Sequence, residues 1–167
     1  MDTKLEEQDK MKYPNKITKS LKTISLERLP GYKDYKEANL DWTIGSYLNM
    51  KYNILDAISF FKLYFPNFIQ YKDCIFLEDR FNSEIVDNWL QEFNDDLKRV
   101  EYMSNLYEVK DLFHINWLED VSSFDIKELG DILQFSWQLN LDKLFGENIY
   151  QVDCFEEEEI YITISRK

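Results

Sequence analysis

Residues that carry common catalytic and metal-binding motifs are scarce in this chain of 167 residues. The four glycines, Gly31, Gly45, Gly130 and Gly146, lie too far apart to form a glycine-rich phosphate-binding loop. The single histidine, His114, excludes a two-histidine metal site within one chain. The two cysteines are 80 positions apart, which excludes a C-x-x-C motif. These absences favour binding over catalysis, and no resident metal or cofactor is expected.

The chain also lacks a long apolar run. No stretch of about 18 apolar residues is present, so no membrane-spanning helix is predicted. The first 12 residues are polar and lack the apolar core of a secretory signal. With such a start, Cys74 and Cys154 are interpreted as reduced thiols, and a cytoplasmic location is expected.

Basic residues are outnumbered, and charge is distributed unevenly along the chain. There are 32 acidic residues against 20 Lys and Arg, which gives a net charge of −12. Residues 1–36 hold 9 basic and 6 acidic residues, whereas residues 37–167 hold 11 basic and 26 acidic residues. We therefore predict a polar, mildly basic N-terminal arm or linker over 1–36 and a single acidic domain over 37–167.

This acidic domain restricts the class of partner. A strongly negative surface repels nucleic-acid phosphates and anionic lipids, so neither direct nucleic-acid binding nor membrane binding is expected. The same surface attracts a basic protein, because complementary charge accelerates encounter. The alternative interpretation is that the charge only keeps the domain soluble. The oligomeric state is left open by the sequence.

Hydrophobic periodicity predicts an α+β fold. Apolar residues recur at helical spacing from about Tyr52 to Pro66, and Phe68 to Glu78 is typical of one or two short strands with a turn at Tyr71-Lys72-Asp73. A helix is predicted from Ser83, with a break near Asn94 to Asp96 and a second short helix after it.

The last third of the chain gives the clearest pattern. Asp125-x-x-Glu128 resembles a helix cap with a reciprocal partner, and a helical stripe follows it as far as Gly146. Residues 149–155 and 160–165 alternate as half-buried strands do. The predicted architecture is three or four helices packed on a small antiparallel sheet, with a flexible N-terminal arm.

Acidic residues and one tryptophan are the candidate partner-binding groups. They are Asp95, Asp96, Trp117, Glu119, Asp120, Glu156, Glu157, Glu158 and Glu159. Carboxylates supply steering and ion pairs towards a basic partner, and tryptophan is enriched at binding hot spots. The acidic groups also have a structural interpretation, as solvated helix ends, loops and a charged turn that protects strand edges.

Four other residues form a possible polar cluster, namely Glu101, Asn105, Asp111 and His114. The first two lie one helical turn apart, and Asp111 lies three residues before His114. A carboxylate near an imidazole can orient the ring as a base. The alternative is a hydrogen-bonded set that fixes the loop between two helices.

Three segments carry a resemblance to a known group of proteins. They are Phe65-Pro66-x-Phe68 leading to Cys74-Ile75-Phe76-Leu77, then Glu101 and Asn105 before Asp111-Leu112-Phe113, and then Leu129 to Phe145 with the two final strands. Over about residues 40–165 the chain resembles small bacterial proteins found beside polymorphic toxins as immunity proteins. The resemblance implies an acidic inhibitor of a cognate toxin.

The charge and the resemblance together favour a non-catalytic protein-binding inhibitor of immunity type, which masks a basic partner surface. Two alternatives remain open. One is a small enzyme or metal-dependent domain centred on His114, and the other is a homodimeric structural domain.

Overall fold

The fold belongs to the α+β class, as the sequence predicts. The computed structural model describes residues 26–114, 118 and 121–167. These residues form six α-helices and five strands, and the strands make two antiparallel sheets. The helices are α1 Tyr32–Ala38, α2 Ile44–Lys51, α3 Ile54–Tyr64, α4 Ser83–Glu92, α5 Leu97–Ser104 and α6 Ser123–Phe145. The strands are β1 Phe68–Tyr71, β2 Cys74–Leu77, β3 Tyr107–Glu108, β4 Tyr150–Glu156 and β5 Ile160–Arg166.

The chain divides after Asp41 into two compact units. The described part of the first unit holds a 3-10 turn, Leu26–Arg28, and helix α1. Most of the predicted N-terminal arm, residues 1–25, lies outside the described residues. The second unit, Trp42–Lys167, contains the other five described helices and both sheets.

The hairpin β1–β2 begins just after Pro66, which lacks the amide hydrogen that a longer α3 would need. Its turn residues, Lys72 and Asp73, have φ angles of 47° and 63°. Positive φ at both central residues is the mark of a type I′ hairpin turn, whose twist matches that of the strands. The predicted turn at these residues is therefore confirmed.

Strand β2 lies between two hydrophobic clusters. Successive side chains of a strand point to opposite faces, so Ile75 and Leu77 enter one cluster while Cys74 and Phe76 enter the other. The second cluster is completed by residues of α4 and α5, namely Val86, Leu90 and Val100. This short strand is therefore buried on both faces.

The main core lies between α6 and the three-stranded sheet, whose order is β3–β5–β4. Ile160, Ile162 and Ile164 alternate along β5 and pack in the same cluster as Trp137 of α6. The indole N–H of Trp137 donates to the carbonyl oxygen of Leu63 at 2.9 Å, which ties α3 to α6. Each large apolar side chain buried here stabilises the fold by about 1.5–3 kcal/mol.

Helices α4 and α5 are separated by the predicted break. Asn94 and Asp95 have φ angles of 52° and 60°, through which no right-handed helix can continue. Asp96 then caps α5, because its Oδ1 accepts a hydrogen bond from the Arg99 amide at 3.2 Å. The break turns the chain so that α5 packs on β2 and β5.

The prediction for the start of α6 was wrong about its cap. The helix begins at Ser123, and Ser122 is the N-cap. The Ser122 hydroxyl accepts a hydrogen bond from the Asp125 amide at 3.3 Å, and the Asp125 carboxylate accepts one from the Ser122 amide at 2.9 Å. A hydroxyl three residues before a carboxylate forms this reciprocal box, so Asp125 is the partner and not the cap. Gly146 ends the helix as predicted, with a φ of 99°.

Candidate functional site

The end of the β4–β5 hairpin gathers carboxylates from different parts of the chain. The pairing of β4 with β5 extends to Glu156 and Ile160, which leaves Glu157–Glu159 in the connection. Strand β3 pairs with the same part of β5 and places Glu108 opposite Tyr161. We name five residues here the acidic corner: Glu108, Asp153, Glu157, Glu158 and Glu159.

Three aromatic rings lie beside the acidic corner, and we name them the aromatic ladder. The Tyr102 ring centroid is 6.2 Å from that of Phe155, which is 5.6 Å from that of Tyr161, and both pairs are stacked. The hydroxyl of Thr163 donates to the carbonyl oxygen of Tyr102 at 2.6 Å, which holds α5 on the sheet. All three ladder residues are half-buried, so part of each remains accessible to a partner.

The charge of the acidic corner acts on the tyrosines of this ladder. Burial raises the pKa of Tyr161, and four acidic-corner carboxylates raise it further. Burial also raises the pKa of Tyr102, with added contributions from Asp153 and Glu157. Nearby negative charge opposes the formation of a tyrosinate. The same electrostatic potential attracts a cation to these rings.

Lys110 offsets part of this negative charge. Its ammonium group pairs with the carboxylates of Glu108 and Glu159. Hydrogen bonds to Glu108 and then to Glu159 are the main causes that raise the pKa of Lys110. One ammonium group among five carboxylates leaves the acidic corner negative.

A second polar group is buried between β2 and β5, and we name it the buried seam: Glu101 and Asn105. Glu101 lies on α5 and Asn105 is the C-cap of that helix, one turn later, and both are 0% exposed. Oε1 of Glu101 accepts hydrogen bonds from the Ile75 amide at 3.0 Å and from Arg166 Nη2 at 2.9 Å. Oε2 accepts from the Arg166 amide at 2.7 Å and from Arg166 Nε at 3.1 Å. The carboxylate therefore joins the two sheets, and each of its oxygens already accepts two hydrogen bonds.

Asn105 repeats this arrangement one turn later. Its Oδ1 accepts a hydrogen bond from the Leu77 amide at 2.9 Å, and its Nδ2 donates to the carbonyl oxygens of Ile75 at 3.0 Å and Ile164 at 3.3 Å. A carboxamide has the same donor and acceptor groups as a peptide bond. The Asn105 side chain therefore hydrogen-bonds to the backbone of both β2 and β5, as the backbone of a strand between them would.

The four residues of the predicted polar cluster occupy two different environments. Glu101 and Asn105 form the buried seam. Asp111, in the 3-10 turn Val109–Leu112, and His114 are exposed. The hydrogen bonds described for the seam go to β2 and β5, so Glu101 and Asn105 have a clear role in holding the fold together.

The predicted partner-binding residues are also divided. Glu157, Glu158 and Glu159 belong to the acidic corner, and Glu156 is the exposed last residue of β4. Asp95 and Asp96 are exposed in the break before α5. At about 1.5 Å per residue, that break lies about 9 Å along the helix axis from Tyr102 of the aromatic ladder. Trp117, Glu119 and Asp120 lie outside the described residues.

Two members of the acidic corner were missed by the sequence analysis. Asp153 carries a signal, because alternation along β4 places it on the same face as Phe155. Glu108 lies in a strand of two residues, which is too short for any alternation. Its position became visible only through the pairing of β3 with β5.

Neither a metal centre nor a relative identifies the site. Within residues 26–114, 118 and 121–167, no group of three or more His, Cys, Asp or Glu is arranged to hold a metal ion. None of the helices described for this chain combines the length and the apolar character needed to cross a bilayer. The chain was compared with family models, curated proteins and solved structures, and none of them matches it. The function is therefore inferred from the geometry of the described residues.

Proposed function

We propose that this chain is a non-catalytic protein-binding domain that masks a basic surface of a partner protein, as an immunity-type inhibitor does. The supporting observation is that the acidic corner gathers carboxylates from β3, β4 and the hairpin connection around the aromatic ladder. Scattered charge gives solubility alone, whereas gathered charge produces a local field that steers a partner.

Recognition then has a long-range and a short-range step. The net charge of −12 attracts a basic protein before contact, which raises the association rate. On contact, an arginine of the partner stacks on the accessible part of a ring of the aromatic ladder and pairs with a neighbouring carboxylate. Arginine suits this site better than lysine, because its planar guanidinium group stacks and donates at the same time.

Two buried ionisable groups support binding rather than catalysis. The oxygens of Glu101 already accept four hydrogen bonds from Ile75 and Arg166. Burial, and then the charge of Glu101, raises the pKa of Cys74 to about 11, so the thiol is protonated near neutral pH. A protonated, buried thiol is a poor nucleophile. Both groups therefore serve the fold.

The experiment replaces charge in the acidic corner without changing side-chain size. The double variant Glu157→Gln with Glu158→Gln is titrated against the protein encoded beside this gene, which the proposal takes to be the partner. The matched control is Glu84→Gln with Glu92→Gln, which removes two exposed carboxylates from α4. We expect the corner variant to bind about tenfold more weakly at low salt, equivalent to about 1.4 kcal/mol, and the control to bind almost normally.

The same titration can contradict the proposal. If the wild-type chain gives no complex at any salt concentration, the proposed function is wrong. If both double variants lose the same affinity, general charge rather than the acidic corner is responsible.

A further inference from the structure

Helix α3 is apolar on the surface that it shows to solvent. Its exposed residues include Ile54 at 79%, Leu55 at 72%, Ile58 at 58% and Phe61 at 57%. Among the described residues, Leu63 and Tyr64 near its C-terminal end attach the helix to the main core. Most soluble domains do not leave such a stripe in water, so the helix has the character of an interface.

Helix α2 widens this surface. Leu48 and Tyr52, at the end of α2, line a groove with Ile54, Phe60 and Tyr64 of α3. The groove has a volume of about 580 Å³, which is enough for large apolar side chains of another chain. We name the exposed surface of α2 and α3 the apolar face.

Charge indicates which occupant suits the apolar face. Residues 42–66 contain only Lys51, Asp56 and Lys62 as charged residues. Residues 67–167 contain 9 basic and 23 acidic residues, a net charge of −14. Two copies of the chain therefore repel each other over most of the second unit, but their apolar faces can meet with only one carboxylate, Asp56, contributed by each copy.

We propose that the apolar face binds a second copy of this chain. The exposed stripe is spaced i, i+1, i+4, i+7 along α3, which suits antiparallel packing of two equivalent helices about a two-fold axis. With Ile58 at the axis, Leu55 of each copy faces Phe61 of the other. The acidic corner, on the β4–β5 hairpin, takes no part in this contact, so the dimer does not depend on the proposed function.

Salt separates the dimer from the complex with a basic partner. Dimer formation brings together two chains of charge −12, so screening by salt weakens their repulsion and tightens the dimer. Binding of a basic partner at the acidic corner weakens with salt for the opposite reason. The two proposals can therefore fail independently.

The test is sedimentation equilibrium of the full chain at micromolar concentration, at about 0.05 M and about 0.5 M salt, which changes the screening length several-fold. We expect a dimer whose dissociation constant falls at the higher salt concentration. Ile58→Glu and Phe61→Glu should each weaken it at least tenfold. Leu139→Glu is the matched control, because Leu139 is an apolar residue of α6 with 51% exposure, and it should leave the dimer intact.

A second variant tests the contact without disturbing the apolar surface. Ile58→Cys places a thiol at the proposed two-fold axis, where oxidation should link two chains by a disulfide. Circular dichroism of each variant confirms that the helices are retained. A chain that stays monomeric at the higher salt concentration overturns the proposal, and so does a dimer that Ile58→Glu leaves unchanged.

Discussion

Glu101 joins strands β2 and β5 of the second unit. It is fully buried, yet each of its oxygens accepts two hydrogen bonds, from Ile75 on β2 and from Arg166 on β5. A buried charge of this kind is tolerated only when its partners satisfy it completely. The sequence groups Glu101 with Asn105 in a possible hydrogen-bonded set, but its partners on β2 and β5 lie far away along the chain and could not be predicted.

Replacing this carboxylate should be costly. Glu101→Gln leaves an amide group facing N–H donors and removes the charge that Arg166 pairs with. We expect a loss of about 3 kcal/mol in the free energy of unfolding, at the lower end for a broken buried pair, because the Arg166 side chain keeps 29% exposure. Urea denaturation measures this loss.

The control for Glu101 is an ion pair at the surface. Asp87 pairs with Lys72 at 2.8 Å, and the side chains of Lys72 and Asp87 are 50% and 41% exposed. Asp87→Asn should therefore change stability little. A Glu101→Gln variant that is as stable as Asp87→Asn would contradict the assigned role of the buried seam.

Cys74 gives a prediction about pH. Burial raises its pKa from an ordinary value of 9.0 to about 11, so the native state keeps the thiol protonated at a pH where the unfolded chain ionises it. The stability that this proton contributes is present below pH 9 and is lost as the pH rises towards 11. Unfolding free energies measured across this range should fall with pH, and less so in Cys74→Ala.

Thiol alkylation near neutral pH offers an independent readout. Cys74 is buried, whereas Cys154 is half-buried. Mass spectrometry after brief treatment with iodoacetamide should show Cys154 labelled before Cys74 in the native protein. Equal labelling rates for Cys74 in native and urea-unfolded chain would show that the thiol is not protected.

At the scale of elements, helix α5 has a double role. One side of the helix contributes Val100 to the second hydrophobic cluster. On another side, the residues of the buried seam extend between β2 and β5. Side chains at positions i and i+4 lie on one side of a helix, so the spacing of Glu101 and Asn105 is what allows both to reach the strands. A helix thus completes the hydrogen bonding of two separate sheets.

Helix α6 packs closely on β4 at Gly130. A Cβ atom on Gly130 would lie 2.7 Å from Cys154 Sγ, which is too short for a normal contact. Gly130→Ala should therefore destabilise the protein by about 1–3 kcal/mol in thermal or urea unfolding. Adding Cys154→Ala removes the sulfur and should recover part of that loss.

Gly45 in α2 is the matched control for Gly130. Its added Cβ would meet Thr43 Oγ1 at 3.5 Å, an ordinary contact. Gly45→Ala should be neutral or stabilising by up to about 1 kcal/mol, because alanine favours helix more than glycine does. If both glycine variants behave alike, steric contact with Cys154 is not the cause.

Predictability differed among the elements for physical reasons. The β1–β2 turn, the start of α4 and the α4–α5 break follow from local residues such as Asp73, Ser83 and Asn94, and all three were predicted correctly. The α6 cap was misplaced because Asp125 can act as a cap or as its partner, and the choice depends on Ser122. Strand β3 has only two residues and is defined by its pairing with β5, so no local sequence pattern could predict it.

At the scale of the whole molecule, the chain combines two surfaces of different character. The apolar face of α2 and α3 carries few charges, whereas the hairpin end carries the acidic corner. The net charge of −12 could be counted from the sequence, but the gathering of Glu108 and Asp153 beside Glu157–Glu159 depends on strand pairing. The candidate site was therefore only partly predictable.

Binding of a basic partner at the acidic corner has to depend on salt concentration. The protein encoded beside this gene is titrated into the full chain between about 0.05 M and about 0.2 M salt, a range over which screening strengthens markedly. The proposed function predicts a tight complex whose dissociation constant rises steeply with salt, and a smaller rise for the variant with Glu157→Gln and Glu158→Gln. An affinity that does not change with salt, or the absence of any complex, would contradict it.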